Sequence, residues 1–472
     1  MFRHFVIVFG WSIVACVASA SFAQAEARPN IVFIMADDLG WTDLGCQGSK
    51  YYRTPHIDRL ASQGMRLTRF YQCQNCAPTR AALLSGQYAP RTGVYTPGTL
   101  ARGNAADRRM EVPENETKLP LDRTTLAQAL KNAGYATGMF GKWHLGDGKA
   151  YHPAQRGFDE AIVTSRGHFD FATNPKTDVP ADKYLADFVT DRAVDFIDRH
   201  ADEPFFLYLP HYAVHTPIVA KEEYVPRWKE IPPAGTHWNP VYAAMIQSLD
   251  ESVGRVVAKL DELKLADKTI VIFTSDNGGL GGYHSTEPPS SRRGYTDNTP
   301  LRGGKGTLYE GGLRVPFIVR WPGVVKPGTS SDRPGMHVDI FPTLVDIARG
   351  ELPTKQILDG VSLLPIFKDP AARLDRDAIY WHFPGYLESY VHSNGWRTAP
   401  VGAIHAGDYK LMEFFEDGRL EMYDLRADIG EKNDLAATMP EKAKELQSRL
   451  AKWRKEIGAA MPTPKSDTNE TP

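Results

Sequence analysis

Apolar residues fall into unbroken runs along this chain, and several runs stop at residues that carry chemistry. Residues 30–36 (NIVFIMA) end in Asp37-Asp38, and 269–274 (TIVIFT) end in Ser275-Asp276-Asn277-Gly278-Gly279. Residues 204–209 (PFFLYL) are followed by His211 and His215, and 135–140 by Gly141-Lys142-Trp143-His144. A further run covers 315–320. Short apolar runs without alternation read as strands buried on both faces of a parallel sheet. Between them the period becomes helical. Leu126, Ala129, Leu130 and Ala133 share one face over 125–133, and Gly134 stops that helix. Residues 183–199, 239–263 and 337–348 read as helices in the same way. Strands alternating with helices predict an α/β fold, with a large, mostly parallel sheet flanked by helices.

From about Asp375 the texture changes. Short alternating pieces appear at 403–404 and 410–415, and Glu416-Asp417-Gly418 reads as a hairpin turn before 420–425. A polar amphipathic helix over 440–455 follows. The expected organisation is a large domain over 28–370, a smaller α+β domain over 371–457 and a flexible tail over 458–472. Residues 1–25 stand apart: Arg3 and His4 precede an apolar stretch over 5–17, then small residues with A-x-A-like sites ending at Ala20, Ala23 and Ala25. That is a secretory signal pattern, so the protein is expected to be exported, to the periplasm or the medium. Cleavage near Ala23 or Ala25 is preferred to lipid anchoring at Cys16, and no segment is long enough for a comfortable membrane span.

Composition adds little to the fold but excludes some functions. The chain has 472 residues, 42% of them hydrophobic, which is ample for a large core. A formal net charge of -2 gives no basic field for nucleic acid. Beyond Cys16, three cysteines remain, Cys46, Cys73 and Cys76, and an odd count in an exported protein leaves a thiol to explain.

Ligands of open α/β sheets bind beyond the carboxyl ends of the strands. Asp37, Asp38, Asp276 and Asn277 stand at two such ends. Three carboxylates and an amide converging there would repel one another without a cation, and hard oxygen donors favour Ca²⁺, or Mg²⁺, over zinc. Cys73-Gln74-Asn75-Cys76 taken alone is open to reading as a redox pair, half a zinc site or buried packing. None of these accounts for Pro78 and Arg80.

Cys76-Ala77-Pro78-Thr79-Arg80 followed by Ser85-Gly86 resembles the C-x-P-x-R signature of the type I sulfatases of the alkaline phosphatase superfamily. Thr79 stands where serine is commoner. Other blocks match in order: 29–43, Gly141 through Gly146, Arg156-Gly157-Phe158-Asp159, His215-Thr216-Pro217, Asp276-Asn277-Gly278, and Lys305 through Pro316. Tyr423-Asp424-Leu425 and Glu431 through Leu435 resemble the family's second domain. The resemblance implies that a maturation enzyme oxidises Cys76 to formylglycine (3-oxoalanine), whose hydrate attacks sulfur. It implies that Asp37, Asp38, Asp276 and Asn277, with the modified Cys76, hold Ca²⁺. It further implies that Arg80 braces the modified residue, Lys142 and Lys305 bind sulfate oxygens, His144 assists release of sulfate, and His215 protonates the leaving oxygen.

His211 is expected either to line the site or to cap a strand end, and Trp143 to pack. Arg166, His168, Asp170, Arg292, Arg293, His382, His392 and Arg397 are candidates for recognising a sugar ring or a second anion. The implied substrate is a sulfate ester, and the bacterial-looking signal on an exported sulfatase points to a sulfated carbohydrate. A formylglycine-dependent phosphonate or phosphodiester hydrolase, an inactive carbohydrate-binding relative and a thiol oxidoreductase using Cys73 and Cys76 are the competing readings.

Overall fold

The computed structural model describes residues 1–2, 28–281, 294–389 and 395–465. Among them, nine strands make one sheet, ordered 329–331, 65–67, 317–320, 269–275, 30–36, 205–210, 136–141, 160–164 and 173–174. The five strands from 269–275 to 160–164 run parallel. Antiparallel pairing enters at Phe317–Arg320 and at Thr173–Asn174.

The apolar runs form the centre of this sheet because helices cover both faces. Along Asn30–Ala36, Ile31, Phe33 and Met35 enter one core cluster, while Val32, Ile34 and Ala36 enter the other. Helices Leu126–Asn132 and Ile340–Ile347 cover the first face, Leu185–Arg199 and Pro240–Glu262 the second. Caps set the boundaries: Asn239 accepts from Val241 N and Tyr242 N, and Thr125 closes a capping box with Gln128. The run expected as one strand over 315–320 is divided. Pro316 lacks an N–H for the ladder, so Arg314–Val315 pairs with Phe70–Tyr71 in a separate small sheet and Phe317–Arg320 joins the large one.

The C-terminal part is a four-stranded antiparallel sheet of Ile379–Phe383, Val401–Ala406, Tyr409–Phe414 and Leu420–Asp424. Helix Pro440–Ile457 packs on it through Ala443, Leu446 and Leu450. Gly418 takes φ 70 at the expected hairpin turn. Where the sequence reads as a free tail, Thr463–Pro464 pairs with Met110–Glu111.

A fully buried charge cluster joins the two parts. Lys410 Nζ lies 3.1 Å from Glu310 Oε1 and 2.9 Å from Glu431 Oε1. Arg314 Nε donates to Glu310 Oε2 at 2.7 Å, and Glu310 N donates to Glu431 Oε2 at 2.7 Å. Among the described residues no helix is long and apolar enough to cross a membrane. The leader-like segment and Cys16 lie outside the described residues.

Candidate active site

Strands 30–36 and 269–275 are in register with Ala36 opposite Ser275, so Asp37-Asp38 and Asp276-Asn277 emerge side by side at the carboxyl edge of the sheet. Asp276 N extends the ladder by donating to Ala36 O at 3.1 Å, and Asp38 N donates to Asp276 Oδ1 at 3.2 Å. Asp37 is tied to the loop after the neighbouring strand 205–210. Asp37 N donates to Ala213 O at 2.9 Å and Val214 N to Asp37 O at 2.7 Å. That pairing delivers His215, whose Nε2 lies 3.7 Å from Asp38 Oδ2.

Cys76 opens the helix Cys76–Ser85, every residue of which is buried, and Gly86 closes it at φ 67. Pro78 falls in the first turn, where its missing N–H breaks no helical bond. The four-residue spacing puts Cys76 and Arg80 on one face. Arg80 Nε and Nη2 hold Asp276 Oδ2 at 3.1 and 2.8 Å, and Nη1 donates to Lys142 O at 2.9 Å.

Lys142 and His144 follow strand 136–141. Gly141 sits at φ 133, and a Cβ there would stand 2.1 Å from Pro210 O, so only glycine lets the two strands approach at this point. Lys142 Nζ donates to Asp37 Oδ2. His144 Nδ1 lies 3.3 Å from Cys76 Sγ. Lys305 Nζ reaches Asp38 Oδ1 at 2.7 Å, and its loop is held by Gly306 N donating to Gln74 O at 2.7 Å. Cys76, Lys142, His144, His215 and Lys305 line one pocket of about 650 Å³.

Three buried carboxylates, Asp37, Asp38 and Asp276, thus face three cations, Arg80, Lys142 and Lys305. Burial works to raise Asp37, but Lys142 and then His215 outweigh it and hold the carboxyl below its usual range. Lys305 and His215 do the same for Asp38. Asp276 is pushed up by burial and by the Asp37 charge. Burial, reinforced by Lys142, Arg80 and Lys305, drives His144 to about 2, which keeps its imidazole neutral.

The donor set fits a hard divalent cation. Asp37 Oδ1 and Asn277 Oδ1 are buried without a hydrogen-bond partner. Asn277 already uses its Nδ2 on Asp38 Oδ1 at 2.8 Å and Gly278 O at 2.9 Å, which leaves the amide oxygen as the available donor atom. Buried polar atoms are rarely left unsatisfied in native proteins. Ligand atoms of Asp37, Cys76 and Asp276 lie within 4.8 Å of one another, as do those of Asp37, Asp38 and His215.

Other candidates take other places. His211 turns away from the pocket: its Nε2 meets Ser252 Oγ at 3.0 Å, and burial lowers it to about 3. His382 is buried against Ala460 O at 2.8 Å, and Asp170 is exposed. His168 stands behind the site, with Nε2 2.9 Å from His215 O. Trp143 packs, donating Nε1 to Tyr151 O and meeting Phe158 edge to face. Arg166 and Arg397 line the pocket. Arg292, Arg293 and His392 lie outside the described residues. Arg102, absent from the sequence candidates, also lines the pocket.

Cys46, Cys73 and Cys76 are all free thiols. Cys73 Sγ faces His337 Nε2 at 3.4 Å, away from the Cys76–His144 contact, and burial pushes its thiol up to about 12. Cys73→Ala is therefore expected to keep turnover within about threefold, since a buried thiol without a chemical task behaves as a small hydrophobe. Loss of activity in that variant, measured as sulfate release, would revive the redox-pair reading.

The family model described as Sulfatase matches residues 29–350, and that described as N-sulphoglucosamine sulphohydrolase, C-terminal, matches 304–456. A sulfatase of Formosa agariphila is 35% identical, with 95% of this chain and 93% of that protein covered. The N-acetylgalactosamine-6-sulfatase of Sus scrofa is 34% identical over 75% of this chain and 68% of its own length. Among solved structures, Ps i-CgsB in complex with k-i-k-neocarrahexaose superposes with a TM-score of 0.74 at 28% identity, covering 90% of this chain and 92% of that one.

Proposed function

The chain belongs to the sulfatase family, and on that premise we propose that it releases inorganic sulfate from a sulfated carbohydrate, using a nucleophile made by oxidising Cys76 to formylglycine. The observation that carries the proposal is the seat of Cys76. It opens a buried helix on the floor of the pocket, beside the Asp37 and Asp276 carboxylates and 3.3 Å from His144. The oligosaccharide bound by Ps i-CgsB and the sugar named for the Sus scrofa relative support a carbohydrate ester.

Hydrated formylglycine supplies one hydroxyl to attack sulfur and a second whose proton loss restores the aldehyde. Asp37, Asp38, Asp276 and Asn277 would hold Ca²⁺, with Mg²⁺ the alternative, and the ion would offset sulfate charge and acidify the attacking hydroxyl. The remaining work falls to the chain's own residues. Arg80 is 0% exposed and cannot meet substrate, so it braces Asp276 and the Lys142 backbone. Lys142 and Lys305 offer ammonium protons to the sulfate oxygens as charge builds in the transition state. Neutral His144 can accept a proton beside position 76. His215 Nδ1 donates to Thr216 O at 2.6 Å, so Nε2 is the atom that serves the leaving oxygen. The leader-like segment 1–25 supports export, and conversion of Cys76 calls for a maturation enzyme in the host.

The test is turnover of N-acetylgalactosamine 6-sulfate and 4-nitrophenyl sulfate beside bis(4-nitrophenyl) phosphate. Sulfate esters should be hydrolysed faster; a preference for the phosphodiester would overturn the proposal. Chelation should lower the rate at least about tenfold, and Ca²⁺ should restore it. Ca²⁺ should also raise the melting temperature, because an ion at 100 times its Kd stabilises the fold by about 2.7 kcal/mol. Asn277→Ala should blunt that rise; an unchanged rise would place the ion elsewhere.

A further inference from the structure

A second cavity, of about 510 Å³, lies at the seam between the two parts of the chain, and no described residue lines both it and the catalytic pocket. Arg69 and Arg333 reach it from the large domain, His405 and Asp408 from the C-terminal sheet, and Arg373 and Arg376 from the segment that joins them.

His405 lies on strand Val401–Ala406 and is only 2% exposed. Its ring borders the cavity and meets Tyr71 edge to face at 5.3 Å, yet neither ring nitrogen has a hydrogen-bond partner. Buried polar atoms in native proteins rarely stand so. Burial, aided by Arg69, Arg314 and Lys410 and opposed by Glu310, lowers His405 to about 3. The imidazole is therefore neutral and offers one N–H. Arg333 is similar. Its Nη2 donates to Ala371 O at 3.1 Å, while its Nε is buried without a partner.

The charges that line the cavity are only partly spent on one another. Asp408 is shared by Arg69 and Arg426, each at 3.0 Å. Arg376 is held by Asp339 at 2.6 Å, and Asp377 by Arg449 at 2.9 Å. Arg333 and Arg373 make no ion pair among the described residues, and the exposed Asp332 stands beside them at the rim. With Asp339 and Arg449 included, six cations face four carboxylates. Guanidinium N–H groups and a neutral imidazole N–H, with a surplus of positive charge, match the oxygens of an anion.

We propose that this cavity is a second anion site, separate from catalysis, which takes a sulfate group on the His405 N–H, Arg333 and Arg373. The choice of sulfate rests on the function proposed above. The group is the free ion that the reaction releases or a sulfate carried on a saccharide.

Equilibrium dialysis of the full-length Cys76→Ala protein tests it, with inorganic sulfate and N-acetylgalactosamine 6-sulfate as probes in sodium chloride of fixed ionic strength. With at least one probe, this protein should bind one equivalent more than its Arg333→Gln/Arg373→Gln form, in which that equivalent should weaken by about tenfold or more. Lysine at both positions should restore part of it, and His405→Phe should also weaken it. Gain of the equivalent with inorganic sulfate identifies the free ion; gain with the sugar alone identifies a saccharide sulfate. Equal binding by parent and variants, with both probes, would overturn the site. With Cys76 intact, Arg333→Gln/Arg373→Gln should hydrolyse 4-nitrophenyl sulfate within about twofold of the native rate. Loss of that turnover together with the equivalent would place the anion in the catalytic pocket and overturn the proposal. Inactivity of the native enzyme on every sulfate ester would count against the sulfatase reading instead, and the dialysis comparison would still decide the site.

Discussion

Replacing Cys76 by alanine is expected to cut sulfate release by at least about 10⁴-fold, the scale on which loss of a nucleophile acts, while leaving the fold intact. The side chain is 2% exposed and its Sγ contacts His144, so the alanine form loses one small buried atom and no structural hydrogen-bond network. Serine at this position should be nearly as inactive. It offers one hydroxyl for attack, but no second hydroxyl to expel sulfate, so at most a single turnover is expected. Circular dichroism would check the fold and ion chromatography the released sulfate. Sustained multiple turnover by Cys76→Ser would defeat the mechanism. The unmodified thiol is a poor alternative nucleophile: burial pushes it up, against the pull of Lys142 and Lys305. Mass spectrometry of active protein should therefore find the peptide containing position 76 lighter than the thiol form by about 18 Da. An intact thiol in fully active enzyme would be fatal to the proposal.

The second large effect concerns stability. Lys410→Met keeps the volume but strips the cation that Glu310 and Glu431 share, and all three side chains are 0% exposed. Breaking a buried pair in this way costs about 3–5 kcal/mol. The two glutamates respond differently to burial. Glu310 is held down to about 2 because Lys410 and Arg314 both face it. Glu431 is pushed up to about 7 by burial, which Lys410 only partly offsets, with the Glu310 charge adding to the rise. A carboxyl raised on folding favours the native state at low pH, and that support is lost as pH rises through its folded value. Without Lys410 both carboxyls rise further, so the stability gap from the native chain should be wider at pH 8 than at pH 5. Urea midpoints at the two values measure it, and an equal gap would show that charge is not the cause.

The central sheet was legible because buried parallel strands carry continuous apolar runs, and those runs end at Asp37-Asp38 and Asp276-Asn277. That these pairs become neighbours follows from strand order, which periodicity alone does not specify. The two histidines after strand 205–210 show the limit. His211 and His215 follow the same run, yet one turns back to Ser252 and the other is carried into the pocket by the Asp37–Ala213 backbone pairing. Only the loop path separates them. Arg102 was missed because it lies in a polar stretch without period, and its place in the pocket depends on contacts distant in sequence. Likewise Glu310 stands in a matched block and Lys410 in a short alternating piece, but their ionic bond spans 100 positions and is invisible until the second sheet is docked.

The enclosure of Cys76 also bears on how the active enzyme is produced. Its helix is buried along the whole length, and a pocket of about 650 Å³ admits a sugar but not the catalytic groove of another protein. If a protein catalyst installs the aldehyde, it must act on the nascent chain while that segment is still extended. Maturation and folding then race, and the loser cannot be repaired. When synthesis outruns the modifying catalyst, a fraction of the population will be well folded, soluble to every biophysical probe and permanently silent, so that specific activity records the pace of translation as well as the quality of the site.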